Sequence, residues 1–350
     1  LSLQRMNETE ERIRATGSSD ERSFDVDTGA LQLKATAAIG PDLRLHYGME
    51  WYRDFVDTAR VQADGNTGEE RVRIQGPVAD DATYDLAGAY GKAFWRLSPP
   101  LGATFGMRLT YARAEADRFE NPLIGLPSSF RGDWDDFSTS LRLTYSPHAT
   151  IRFFAGISEG FRAPNLSDLT RLDIARSGEL EIPSPDVSPE AYLTGEAGVS
   201  AEKGPLLPTL SLYRTHISGM IVRTPTGRIL SIGDEDWYEV AKRNAGDGWV
   251  HGIEASFSLR LAEDWLLTAA LSWMDSELER FSDTSSDPVR IREPLSRMMP
   301  PTGQLSLRYA PSGGKWSLEG RLQAVRRQDD LPESDRRDTQ RIPPDGTPGY

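Results

Sequence analysis

The run Gly156-Ile157-Ser158-Glu159-Gly160 spells the Gly-x-Ser-x-Gly pattern, which exposes a serine nucleophile when it sits on a sharp strand-to-helix turn with an acid and a histidine following in the chain. Here Ser158 closes an alternating apolar run and leads straight into Phe161-Arg162-Ala163-Pro164, so the activating turn has nowhere to form. Acyl transfer is therefore not expected. Asp234-Glu235-Asp236 offers oxygen ligands but lacks the glycine and the spacing of a calcium loop, and reads as solvated charge. His46, His148, His216 and His251 are scattered, and the absence of cysteine removes thiolate metal sites and disulfide frameworks. A phosphate-cradling loop, a dinucleotide fingerprint and a His-Glu-x-x-His pair are all missing from the sequence. The residues predict no enzyme, no cofactor and no metal centre.

The elements that carry these residues have a period of two. Trp265, Leu267, Ala269, Leu271 and Trp273 alternate with more polar positions; so do Phe137 to Tyr145, Ile253 to Leu261, Leu43 to Trp51, Ala103 to Tyr111 and Ile151 to Ile157. Such runs are strands with one greasy face, and about thirteen of them are legible. Short turns at Gly40-Pro41-Asp42, Ser98-Pro99-Pro100, Ser146-Pro147-His148, Ala262-Glu263-Asp264 and Ala310-Pro311-Ser312-Gly313-Gly314 alternate with long polar stretches. Those stretches are Gln62 to Asp81, Arg118 to Asp133, Gly160 to Ser188, Thr224 to Gly248, Phe281 to Pro301 and Leu331 onward, and they are expected to be loops. An up-and-down antiparallel meander follows, with Ser98 to Pro100, Pro147 and Glu263 at one rim and Arg171 and Trp237 at the other.

The chain has 350 residues, 53 acidic and 40 basic, with a net charge of −13, which disfavours a nucleic-acid partner. Mean hydropathy is −0.50, and no apolar run reaches the length of a membrane-crossing helix. A closed sheet of so many strands is too wide to fill with side chains, so a soluble barrel is disfavoured. Trp265 to Trp273, at about 3.3 Å per residue and a tilt near 40°, rises on the order of 20 Å, close to the ~25 Å apolar band between the aromatic girdles of a transmembrane barrel. The fold expected is an all-β, up-and-down transmembrane β-barrel in the outer membrane, touching its lipid.

Three motifs in fixed order sharpen this. Phe161-Arg162-Ala163-Pro164, then Pro189-Glu190 after Val187-Ser188, with Glu196 on the following strand, resembles the FRAP-type box, L-x-P-E run and E-x-G strand of TonB-dependent outer-membrane receptors. Asn244-Ala245-Gly246 leading to Gly252-Ile253-Glu254 is similar to that family's N-A-G to G-[IV]-E hairpin strand. Pro294-Leu295-Ser296-Arg297 before Pro300 is similar to its P-L-x-R-x-P approach to a late strand. The resemblance implies a plugged barrel of about 22 strands that imports a scarce nutrient with energy from the TonB complex. The chain is then expected to be an incomplete barrel, about thirteen strands with residues 1–350 forming one partial barrel domain, no plug, and TonB contacted through segments outside it.

For the ligand, the resemblance points to a ferric siderophore or similar iron complex. The candidate contacts are Arg162, Arg171, Arg176, Trp237 and Tyr238, whose guanidinium groups and rings suit an anionic chelate. Haem receptors of the family commonly carry a histidine between the two boxes, and Asn165 to Ser188 has none. Receptors for haem, cobalamin or carbohydrate, and a passive porin, are the alternatives. A soluble sugar-binding or hydrolytic β protein is the third class. His251 shares parity with Ile253 and is expected to point outward. The hairpin at Pro147, aligned on its greasy positions, is expected to set Arg142 opposite Arg152, with Glu196, or else a carboxylate of a plug outside this chain, offsetting the pair.

Overall fold

A sheet built from strands with apolar residues at every second position has one face that water does not solvate. The computed structural model describes every residue except 14, 122–124, 177–178, 233–234, 283–288, 340 and 344, and it gathers these strands into one sheet. In chain order they are β1 (Ser2–Ile13), β2 (Ser19–Ile39), β3 (Leu43–Ala63), β4 (Glu70–Val72), β5 (Asp80–Ser98), β6 (Leu101–Glu120), β7 (Pro127–His148), β8 (Ile151–Arg162) and β9 (Asp173–Arg176). There follow β10 (Glu179–Ile182), β11 (Glu190–Ala201), β12 (Leu206–Ile232), β13 (Glu235–Ala262), β14 (Trp265–Phe281), β15 (Arg290–Glu293), β16 (Thr302–Tyr309) and β17 (Leu318–Val325). Two one-turn helices, α1 (Leu166–Thr170) and α2 (Glu333–Arg337), interrupt them.

Leaving aside the short β4, β9, β10 and β15, each strand pairs antiparallel with the next, which is the expected meander. The sheet is open: no described ladder joins β17 to β1. The Pro147 turn and the Glu263 turn lie at one rim, and Trp237 lies near the far end of β13. The greasy face points outward, exposing Leu33, Met49, Leu109, Phe137, Ile157 and Leu271. At the short-turn rim the Trp265 ring lies 4.8 Å from Tyr309, which lies 5.5 Å from Trp316, while Trp51 and Tyr111 mark the opposite edge of the band. No described helix is long and apolar enough to cross a membrane.

Two expectations are corrected. Much of the polar sequence read as loop is strand: β12 and β13 have 27 and 28 residues, and β6 and β7 reach Glu120 and Pro127. A strand of that length, tilted near 40°, rises roughly 70 Å, so more than half of it stands clear of the apolar band. Outside the membrane both faces meet water, the period-two signal fades, and the ladder continues because each backbone satisfies the other. Trp237 and Tyr238 thus sit on a strand, opposite Leu230 and Ile229. The second correction is register. At the Pro147 turn Arg142 faces Gly156, and Leu141 faces Ile157, because the connection turns at Ala149-Thr150. The slip is even, so every side chain keeps its face. Arg142 Nη1 reaches Glu196 Oε1 at 2.8 Å and its guanidinium lies 4.1 Å from the Phe154 ring. Glu196 is therefore the partner carboxylate, but of Arg142 alone; with both groups about two-fifths exposed, the pair contributes under about 1 kcal/mol.

Gly252 shows why the motif strand needs a bare backbone. A Cβ there would lie 2.5 Å from Tyr213 Oη and 2.7 Å from the Trp273 carbonyl oxygen, which belongs to the ladder and cannot yield. Gly252→Ala is expected to destabilise the barrel by about 1–3 kcal/mol, read as a lower temperature for the mobility shift of the full-length receptor on semi-native gels. An unchanged transition would contradict the contact.

Candidate functional site at the outer mouth

Between Ala163 and Ser188, residues 177–178 apart, the chain does not loop out into solvent. It folds inward as a strap across the long-loop end of the barrel, and two apolar anchors explain why. Leu166, Leu169 and Val187 complete a buried cluster with Val56, Val78, Ala79, Ala82, Ala114, Ala116, Phe119 and Ile221, on the inner face of β3, β5, β6 and β12. Asn165 starts α1 with a capping box: its Oδ1 accepts from Asp168 N at 2.9 Å, and Asp168 Oδ2 accepts from Asn165 N at 3.2 Å.

Polar contacts tie the strap down on every side. Arg162 and Glu190 are directly opposite in the β8–β11 ladder, and Arg162 grips both Glu190 oxygens, Nε to Oε2 at 2.8 Å, while Nη1 donates to Asp168 Oδ2 at 2.7 Å. Glu190, 1% exposed, also accepts from Ile221 N at 2.8 Å and from the Tyr192 hydroxyl. Lys242 Nζ on β13 lies 3.2 Å from both Asp168 Oδ1 and Glu181 Oε1 and donates to the Ser167 carbonyl at 2.8 Å. Thr170 receives Gln75 Nε2 on its carbonyl at 2.7 Å and Ala79 N on its hydroxyl at 2.9 Å. Beyond it, Asp173 accepts from Arg22 Nη1 at 2.7 Å on β2, and β10 runs parallel to β13 from Tyr238 to Ala241. Asn244 pins the strap's far end, its Oδ1 accepting from Ser188 N at 2.6 Å and its Nδ2 donating to Ser188 O and Gly219 O at 2.6 and 2.8 Å. Gly219 sits at a bulge with φ of +63°, a conformation that suits glycine.

The charges behave as clips. Burial alone would raise the Asp168 carboxyl, but Lys242 and Arg162 hold it below the ordinary carboxylate range. Asp20, where Arg22 and Arg60 converge at 2.8 Å, follows the same pattern more strongly: burial opposes ionisation, and the two guanidinium groups overcome it. A carboxyl held low in the folded state stabilises that state above its unfolded pKa, near 4, and the contribution is lost as pH falls further through the folded value. The Asp168 clip to Arg162 and Lys242 is therefore expected to hold the strap from neutrality to about pH 4 and to loosen only in stronger acid. Hydrogen exchange of the strap amides across that range would register it; loosening already at pH 5–6 would count against the clip.

The strap roofs a cavity of about 840 Å³ lined by Arg22, Arg171, Arg223, Lys242 and Arg280 among Asp168, Asp173 and Glu181. Of the predicted contacts, Arg171 lies here. Its nearest carboxylates, Asp173 and Glu181, are 3.7 and 3.9 Å away, and its Nε is shielded from water without a hydrogen-bond partner. Arg162 is consumed by the strap. Trp237 and Tyr238 lie up the β12–β13 hairpin, outside the cavity lining. Arg176 pairs through its backbone with Glu179, and its side chain is outside the described residues, as are Asp234 and the side chain of Glu235. Asp168, Lys242, Arg22 and Arg223 were not anticipated. Asn165-x-x-Asp168 is visible as a capping box, whereas the others carry no local signal. Ser158 sits within a ladder between Ser140 and Thr194. His251 stacks on Trp249 at 4.5 Å on the outer face. A Cβ at Gly246 would fit only tightly, 3.0 Å from both Met220 Cβ and Val222 Cγ1, and Glu254 pairs with Ser211 and Ser272 in the wall.

Comparison with known proteins agrees with this geometry. Residues 4–350 match the family described as TonB dependent receptor-like, beta-barrel. The chain is 23% identical over 265 residues to the iron-regulated outer membrane virulence protein of Vibrio cholerae, covering 73% of this chain and 35% of that protein. Among solved structures it is similar to the copper transporter OprC, with a TM-score of 0.71 and 18% identity, covering 95% of this chain and 50% of that one. It is likewise similar to the ferric yersiniabactin uptake receptor FyuA from Yersinia pestis, with a TM-score of 0.65 and 14% identity, covering 94% and 47%. The chain thus spans about a third of the curated relative and about half of the solved ones. Receptors and transporters, not enzymes, make up this company. An open antiparallel wall with an outward greasy face, and an Arg162–Glu190 fork built from the two boxes, is what the family match covers: the chain belongs to the β-barrel of the TonB-dependent receptors, in the bacterial outer membrane.

Proposed function

We propose that the receptor containing this barrel imports an anionic iron complex of the siderophore class, energised by TonB through segments outside this chain, and that the ligand is first held beneath the strap. The observation that carries this reading is Arg171. It is a guanidinium in a cation-rich cavity whose carboxylate neighbours stand beyond hydrogen-bond length, with one shielded donor unspent. A chelate with carboxylate or catecholate oxygens supplies the missing acceptors, and guanidinium groups take such oxygens in pairs. The names of the Vibrio cholerae relative and of FyuA support iron as the cargo. Trp237, Tyr238 and Arg176, at the hairpin tip and on β9, are proposed to meet the ligand on its way in.

The test is binding of ferric catecholate, hydroxamate and carboxylate siderophores to the full-length receptor, followed by quenching of tryptophan fluorescence. Arg171→Gln is expected to weaken the preferred chelate at least tenfold, in line with about 1.5 kcal/mol for one charge-assisted bond. Equal affinity of the variant and the parent for every chelate would overturn the reading.

A further inference from the structure

On the lipid-facing side of β12, Leu210 and Leu212 are followed at the same parity by Arg214 and His216, all four exposed. Arg214 pairs with His251, which pairs with Asp275, two residues beyond Trp273 at the top of the greasy band. Two residues rise about 5 Å at the tilt of a barrel strand, so this row stands at head-group level in the outer leaflet. There the Arg214 guanidinium lies 5.1 Å from the Trp249 ring, Trp249 stacks on His251 at 4.5 Å, and His251 lies 5.4 Å from Trp273.

In a protein with a net charge of −13, a wall cation would be expected to find a carboxylate, yet among the described residues the Arg214 side chain has no ion pair or hydrogen bond, and the His216 side chain beside it has no hydrogen-bond partner. The carboxylates on the same face are already engaged. Glu159 accepts from Thr139 N and Oγ1 at 2.9 and 2.7 Å, Asp275 accepts from Ser276 N at 2.8 Å, and Glu277 lies 3.9 Å from Arg292. Directly opposite Arg214 is Gly195, where a Cβ would meet nothing within 4 Å, so the floor beside the guanidinium is open.

We propose that Arg214 and His216 form a site on the outer wall for a phosphate of the outer-leaflet glycolipid. The planar guanidinium, placed over the Trp249 ring, presents a donor fork matched to phosphate oxygens, and the aromatic group beside it suits the boundary between acyl chains and head groups. The site rests on the outer-membrane placement and not on the iron reading, because no nutrient enters its test.

Full-length receptor is extracted in mild detergent, and bound lipid A is counted by native mass spectrometry. The parent is expected to keep one bisphosphorylated lipid A through washing that removes bulk lipid. Arg214→Gln with His216→Gln is expected to lower that retention at least tenfold while semi-native mobility stays unchanged. Gly195→Glu, which places a competing carboxylate opposite Arg214, is expected to do the same and serves if the double variant fails to fold. Added bisphosphorylated lipid A should rebind only to the parent, and dephosphorylated lipid A to none. Equal retention by parent and folded variants, or equal rebinding of the dephosphorylated lipid, would overturn the site.

Discussion

Arg162→Ala is expected to unlatch the strap while the barrel wall persists. The substitution leaves Glu190, 1% exposed, and Asp168 without the guanidinium that holds both, and removing one partner of a buried pair costs more than the pair contributes. Arg162 is itself 39% exposed, so the lower end of the range applies, about 3 kcal/mol. That corresponds to roughly a hundredfold more strap opening. Limited proteolysis of the full-length receptor within residues 165–187 should accelerate by about that factor, with the barrel's heat-modifiable migration intact. Arg162→Lys is expected to fall between, since one ammonium cannot fork Glu190 and reach Asp168 together. Equal cleavage of parent and alanine variant would show that the ion pairs do not hold the strap.

Leu169→Ala should reach a similar endpoint by a route without charge. Leu169 is fully buried at the strap's contact with the inner wall, so its truncation removes apolar contact and leaves a cavity lined by residues fixed in the sheet. Rigid surroundings collapse poorly, and a cost of about 3 kcal/mol follows. The two variants separate in acid and salt. Strap release in the Leu169 variant, which keeps the Arg162 latch, should still rise with salt and with strong acid as in the parent, whereas release in the Arg162→Ala variant should depend on them less. Their double combination is expected to exceed either single change, because the strap then lacks both anchors. A Leu169→Ala strap as resistant as the parent would mean that the buried cluster forms without it.

What could be read directly from residues is whatever the bilayer enforces. Alternation at Trp265 to Trp273 or Phe137 to Tyr145 gives strand, face and rim because lipid accepts only apolar side chains and fully paired backbone. The partnership of Glu196 with Arg142 was within reach for the same reason: parity survives an even slip in register. The slip itself was not legible, since Tyr145 matches Phe153 as well as Ala149 on hydrophobicity, and only the turn at Ala149-Thr150 distinguishes them. Nor were the upper halves of β12 and β13, where water bathes both faces and alternation carries no information.

The family boxes announced themselves by type and order, but not by purpose. The pairing of Arg162 with the strap was not legible, because its meeting with Glu190 spans a ladder and its meeting with Asp168 depends on a capping box that turns the chain inward. Lys242 and Arg22 join that strap across separations in sequence that no local pattern encodes. By itself, the sequence determined a lipid-facing antiparallel wall and its family, since period, girdles and ordered motifs are local properties imposed by the membrane. The tertiary structure alone decided which cations are consumed and which, like Arg171 and Arg214, are left with donors to offer, because pairing among charges depends on the through-space distances that the closing of the strap and the stacking of strands create.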